Sequence, residues 1–150
     1  WNSNFLRGEE NAFFYKKCLL NIDGGDEGSL LYMCPCMTME YPTQWCQDSL
    51  DFVFRMISSG LMEIDYPDAP PTTEERKDIF HQLAVHSPNI PEGGAIWSTY
   101  QFFLSVSGQA FWDEWKNSGD DALYWQKLND IFDEHGVGFD KSAFVPIQFK

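Results

Sequence analysis

Residues 43–58 read TQWCQDSLDFVFRMIS, and the fold turns on them. Cys46, Leu50, Val53 and Ile57 fall at i, i+4, i+7 and i+11, one face of an α-helix, while Trp45, Phe52 and Met56 fill the flank beside it. A helix apolar over so much of its surface has to be covered on more than one side, so residues 44–58 are expected to be the central element. Thr43 is expected to cap this helix, and Gly60 to end it at the C′ position, where a left-handed residue is wanted. Asp51 precedes Arg55 by four residues, the orientation that adds a few tenths of a kcal/mol on an exposed strip.

Working outward, Phe5, Leu6, Phe13, Phe14 and Leu20 are spaced among Arg7, Glu9, Glu10, Lys16 and Lys17 at a period near 3.6, which predicts a helix over 8–20. Residues 21–28, NIDGGDEG, are saturated with turn formers. Leu30 to Met33 and Leu61 to Ile64 are short apolar runs that suit strands. Tyr66 to Pro71 is a stiff Pro-rich connector, and Thr72 with Glu75 has capping-box spacing ahead of a helix over 73–85. Residues 86–94 break the pattern, and the Trp97 to Val106 run and the Gly108 to Lys116 run read as two more helical pieces. A last helix over 120–134 presents Tyr124, Leu128 and Ile131 as a stripe with Trp125 and Phe132 beside it, and Gly136 stops it. The expectation is a mainly α, compact single domain over residues 1–150, with about five or six helices and room for a short two-stranded β element.

The chain carries 23 Asp and Glu against 10 Lys and Arg, a net charge of -13, yet 43% of its 150 residues are apolar. That apolar content excludes a disordered chain, and the length favours one core. No run approaches the roughly 18 apolar residues of a membrane span, and the start lacks a signal-peptide pattern, so a soluble protein without a membrane partner is expected. Opening on Trp1 rather than Met leaves a removed leader open. Direct nucleic-acid binding is disfavoured, because gripping phosphates takes an excess of Lys and Arg. Cys18, Cys34, Cys36 and Cys46 are too few for a disulfide scaffold, which points to reduced thiols and a cytoplasmic setting.

Catalytic signatures are missing. His81 and His86 lie five residues apart, about 140° around a helix, and do not form a metal pair with each other, and His135 stands alone. There is no H-E-x-x-H, G-x-S-x-G, P-loop or G-x-G-x-x-G. Cys34-Pro35-Cys36 in extended chain would point both thiols to one side, and with Cys18 and Cys46 would make four soft ligands, but structural zinc favours paired C-x(2–4)-C spacings. Asp23 to Gly28 fails as a calcium loop because its twelfth position would be Cys34. No cofactor, no metal and no enzymatic activity are expected, although a Cys36 or Cys46 nucleophile with one of the histidines is a conceivable pairing.

The acids are the remaining signal. Glu63, Asp65, Asp68, Glu74 and Glu75 crowd the stretch from Leu61 to Glu75 without a base. Asp113, Glu114, Asp120, Asp121, Asp130, Asp133 and Glu134 crowd a second, against Lys116 and Lys127. An excess this large destabilises the compact state by self-repulsion, and steering toward a basic partner is the simplest use for it. Aromatic residues make up 17% of the chain; Trp112 and Trp115 flank Asp113 and Glu114, and Tyr66 sits between Asp65 and Asp68, so all three are candidate anchors of an interface. The 113–134 region is favoured over the 61–75 connector because a helix holds its acids rigidly.

In size, charge and lack of active-site residues the chain resembles bacterial immunity proteins, most of all those of contact-dependent growth inhibition systems. That resemblance implies a tight complex with a basic toxin domain, a nuclease by preference. The rival readings are a mimic of nucleic-acid charge acting on DNA-binding proteins, and a small Cys-dependent or metal-dependent enzyme.

Overall fold

The computed structural model describes residues 7–150; Phe5 and Leu6, counted in the first periodic stretch, lie outside the described residues. Seven helices and three short strands follow in the order α1 (Arg7–Leu20), β1 (Glu27–Gly28), α2 (Leu30–Met33), α3 (Thr43–Ser58), β2 (Met62–Ile64), α4 (Thr73–Val85), α5 (Pro91–Thr99), β3 (Phe102–Leu104), α6 (Val106–Trp115) and α7 (Asp121–Glu134). The architecture is mainly α with a small antiparallel sheet, in which β3 lies between β1 and β2.

The helix α3 is the centre of the core. Trp45, Cys46, Leu50, Phe52, Val53 and Met56 are all buried, as its two apolar flanks require. The end of α3 is fixed by backbone geometry: Gly60 has φ +79°, its N–H donates to the Ile57 carbonyl, and the Leu61 N–H donates to Met56. This is a Schellman turn, and α7 closes in the same way at Gly136. Its start differs from expectation. Pro42, not Thr43, occupies the N-cap and offers no side-chain bond, so Thr43 is the first helical residue.

The largest correction on α3 concerns Asp51 and Arg55, which are 1% and 0% exposed rather than on a solvent strip. The segment from Val137 to Ile147 lies across this side of the helix and supplies polar partners that no local pattern reveals. Arg55 donates from Nε to Val137 O at 3.0 Å and from its terminal nitrogens to Tyr15 Oη at 2.8 Å and to the carbonyls of Gly138 and Lys141. Its guanidinium also stacks near Phe139 and Phe144, 4.9 and 5.0 Å from the ring centres. Asp51 accepts from the backbone N–H groups of Ala143 and Phe144 at 2.8 and 3.1 Å, and Gln47 accepts from Ile147 N. A buried charge survives only with such partners.

Two short elements also differ. Leu30 to Met33 is one helical turn rather than a strand, because Ser29 Oγ accepts from Tyr32 N and the Cys34 N–H closes back on Leu30 O. Only Leu30 and Met33 are buried, a spacing of three that four residues cannot distinguish from a strand. The Trp97 to Val106 run divides. Its beginning completes α5, which starts at Pro91, and Phe102–Leu104 leaves the helix to become the central strand. Within α5, Gly93 packs so close to Ser87 that a Cβ would strike the Ser87 carbonyl oxygen. The expected helices over 73–85 and 120–134 form over Thr73–Val85 and Asp121–Glu134, the first opening on the full Thr72–Glu75 capping box.

Candidate interaction surface

The sheet brings three distant segments onto one face. In the antiparallel register Phe103 stands opposite both Glu27 and Glu63, while Phe102 stands opposite Gly28 and Ile64. Directly opposed residues share a face and successive ones alternate, so Phe102, Gly28 and Ile64 go to the core and Phe103, Glu27 and Glu63 go outward. Burial follows this division: Phe102 and Ile64 are buried, Glu27 and Glu63 are exposed, and Phe103 is half-buried between them. Asp65, two residues beyond Glu63, falls on the same side and is exposed; its backbone N–H extends the β2–β3 ladder to Gln101 O.

The carboxyls on this face are uncompensated. Among the described residues no Lys or Arg comes within ion-pairing distance of Glu27, Glu63, Asp65 or Asp68. Glu27 is held above its ordinary value, first by desolvation, then by the Asp65 carboxylate that it meets, then by Asp26. A shallow cavity of about 250 Å³ opens beside these groups, walled by Glu63, Asp65, Asp68, Pro70 and Phe103. Asp68 is set there by an unusual backbone, φ 69°, after Pro67. Tyr66 is half-buried and its hydroxyl bonds Glu75, which raises the phenol; the Glu75 carboxyl is lowered first by the Thr72 backbone N–H and then by that hydroxyl. Glu75 also closes the capping box, and Glu74 pairs with Lys77 at 3.3 Å.

The second acidic stretch is used differently. Asp113 accepts from Gln109 and lies 3.4 Å from Lys116; Asp120 caps α7 through the Leu123 N–H at 3.0 Å; Asp121 is 3.5 Å from Lys16; Asp133 accepts from Asn129. Glu114, Asp130 and Glu134 are exposed without such partners among the described residues. The expected anchors Trp112 and Trp115 are core residues, 0% and 9% exposed, and so offer no surface contact. Trp112 turns inward because Asp23, from the loop after α1, accepts its indole N–H at 2.8 Å, with Lys116 at 3.3 Å. These contacts, the indole bond first, lower the Asp23 carboxyl.

Glu27 and Phe103 were not legible as members of a site. One lies in a loop that composition marks as flexible, the other in a run read as helix, and only the strand register joins them to Glu63.

Cys18, Cys34 and Cys46 are buried and Cys36 is half-buried, and among the described residues no three His, Cys, Asp or Glu are grouped to hold a metal. Cys36 lies on the wall of a larger, mostly apolar cavity of about 430 Å³, with Phe13, Phe14, Lys17, Pro35 and Trp45. Its volume is that of a small-ligand site. His86 and His135 each bond the carbonyl four residues back through Nδ1, at 2.8 and 2.9 Å. No helix of the described residues is long and apolar enough to cross a membrane. Compared with known proteins, the chain matches no family model, no curated protein and no solved structure.

Proposed function

We propose that the chain is a small acidic binding protein that neutralises a basic protein partner, docking it on the outward face of the three-stranded sheet. The observation that carries this reading is the gathering of Glu27, Glu63 and Asp65 around Phe103 with no cation in ion-pairing distance among the described residues. Carboxyls that crowd one another cost stability in the free protein, and a Lys or Arg from outside relieves that cost on binding. Phe103 supplies the apolar contact that such a complex needs at its centre. The 113–134 region, four of whose seven acids already have internal partners, becomes the weaker candidate.

The finer reading is an immunity protein inhibiting a cognate toxin nuclease. A nuclease is basic where it grips phosphate, so an acidic face competes for that surface without catalysis, cofactor or nucleic-acid contact of its own.

Affinity capture from the native source with three baits tests both levels. The wild type and Asp130→Lys/Asp133→Lys should retain one basic protein that Glu63→Lys/Asp65→Lys loses, and the captured protein should have a nuclease activity that the wild type titrates to zero. Loss with the α7 reversal and retention with the sheet reversal would move the interface; equal retention by all three would remove the acids from it. A retained partner without nuclease activity would leave the binding reading and end the immunity one.

A further inference from the structure

Glu10, Phe13, Phe14 and Lys17 stand at i, i+3, i+4 and i+7 of α1, a spacing that lays them along one stripe of the helix. The stripe walls the mostly apolar cavity of about 430 Å³, together with Pro35, Met37 and Trp45 from the stretch that leads into α3. That second wall is held in place. Trp45 Nε1 donates to Pro35 O at 2.8 Å, and the Asn89 side chain bonds both backbone groups of Tyr41, at 2.7 and 3.0 Å. The cavity is therefore formed before any ligand arrives, which lowers the ordering cost of binding. Its rim leaves apolar surface in water, with Phe13 50% and Met37 97% exposed.

Among the described residues, Glu10 and Lys17 are the charged groups on these walls. Neither has an ion-pair or hydrogen-bond partner there: Glu10 is half-buried, and the Lys17 ammonium meets only the Phe13 ring, 5.5 Å from its centre. Seven residues of helix set their Cα atoms about 10.5 Å apart along the axis and within about 20° of each other around it, so the two charges mark opposite ends of the stripe. We propose that the cavity binds a short apolar peptide with free ends, about three residues long, its N-terminal ammonium on Glu10 and its C-terminal carboxylate on Lys17. Three extended residues span about 10–11 Å, which matches the rise between the two charges. Its side chains fill the space among Phe13, Met37 and Trp45, and its amides face the open side, where they keep water. Charge separates this ligand from simpler ones. A monocarboxylate approaches a chain of net charge -13 against its field and leaves Glu10 unmatched, and a monocation leaves Lys17 unmatched; a dipolar peptide meets both and carries no net charge. The sheet face takes no part.

Isothermal titration calorimetry with Ala-Phe-Ala is the test. The free tripeptide should bind one per chain, and its N-acetylated and C-amidated forms should each bind about three- to tenfold more weakly, as the loss of one partly exposed charged contact requires. Ala-Phe, too short to reach both ends, should also bind more weakly. Glu10→Gln should weaken the free tripeptide to the level of the acetylated one and leave the acetylated one unchanged, and Lys17→Met should do the same for the amidated one, a coupling that a general loss of structure does not imitate. Circular dichroism confirms that both variants fold. Four results would overturn the proposal: no binding of Ala-Phe-Ala at about 1 mM by heat or by ligand-observed NMR; end-blocked peptides or both variants binding as tightly as the free pair, which makes the cavity an apolar site only; octanoate binding more tightly than the tripeptide, which makes it a monocarboxylate site; or binding that Glu63→Lys/Asp65→Lys abolishes and Glu10→Gln leaves intact, which moves the peptide to the sheet.

Discussion

Arg55 shows what a single buried side chain can organise. Its guanidinium satisfies carbonyls at Val137, Gly138 and Lys141 and the Tyr15 hydroxyl, so removing it leaves several buried acceptors without donors. Arg55→Ala should therefore cost about 3–5 kcal/mol in chemical denaturation, the range for breaking a buried charged network, out of a total of about 5–15 kcal/mol. Asp130→Ala, on the exposed side of α7, is the control and should stay within about 0.5 kcal/mol of wild type. Glu27 makes the opposite kind of contribution. Its folded-state pKa lies above the ordinary 4.5, so as pH rises the unfolded chain gives up this proton first and stability falls through the interval above 4.5. Glu27→Gln should be more stable than wild type at neutral pH, with the difference closing below pH 4.5, as read from melting curves across that range.

At the scale of elements, α4 illustrates local control. Thr72 Oγ1 accepts from Glu75 N at 3.2 Å and Glu75 Oε1 accepts from Thr72 N at 2.9 Å, and this reciprocal cap starts the helix at the expected residue. Thr72→Ala should lose about 0.5–2 kcal/mol by thermal or chemical denaturation, and Thr72→Ser should restore most of it. Elements governed this way were legible from sequence: α1, α3, α4 and α7 follow from apolar period, caps and terminal glycines. Those governed by distant partners were not. Phe102–Leu104 is a strand because β1 and β2 pair with it from both sides, and nothing within the Trp97 to Val106 run announces two neighbours from elsewhere in the chain. Asp51 and Arg55 looked like a solvent-facing pair because their cover is separated from them by more than 80 residues. The acidic character of the proposed binding face was legible as composition; its location was not, since acids that cap helices or pair with lysines look the same in sequence as acids left free.

For the molecule as a whole, the charge of -13 is divided by the fold into acids with internal work and acids without. Around α6 and α7, Asp113, Asp120, Asp121 and Asp133 go to capping and pairing while Glu114, Asp130 and Glu134 do not, and the sheet leaves Glu27, Glu63 and Asp65 together. In the proposed complex, a field of this sign would steer a basic partner over a distance of about 8–10 Å at physiological salt and so set the association rate, while Phe103 would govern how long the complex lasts.

The segment that covers α3 has a further consequence, during synthesis. Val137 and Lys141 are translated 82 and 86 residues after the arginine they satisfy. Until they leave the ribosome, a nascent chain with all of α3 already exposed holds a guanidinium and the Asp51 carboxylate without their backbone partners. The core can therefore collapse early around Trp45 and Phe52, but it cannot reach its final packing before translation has passed residue 147. A ribosome stalled after α7 would hold a chain with most of its helices and none of its closure, a natural substrate for chaperones and for quality-control proteases.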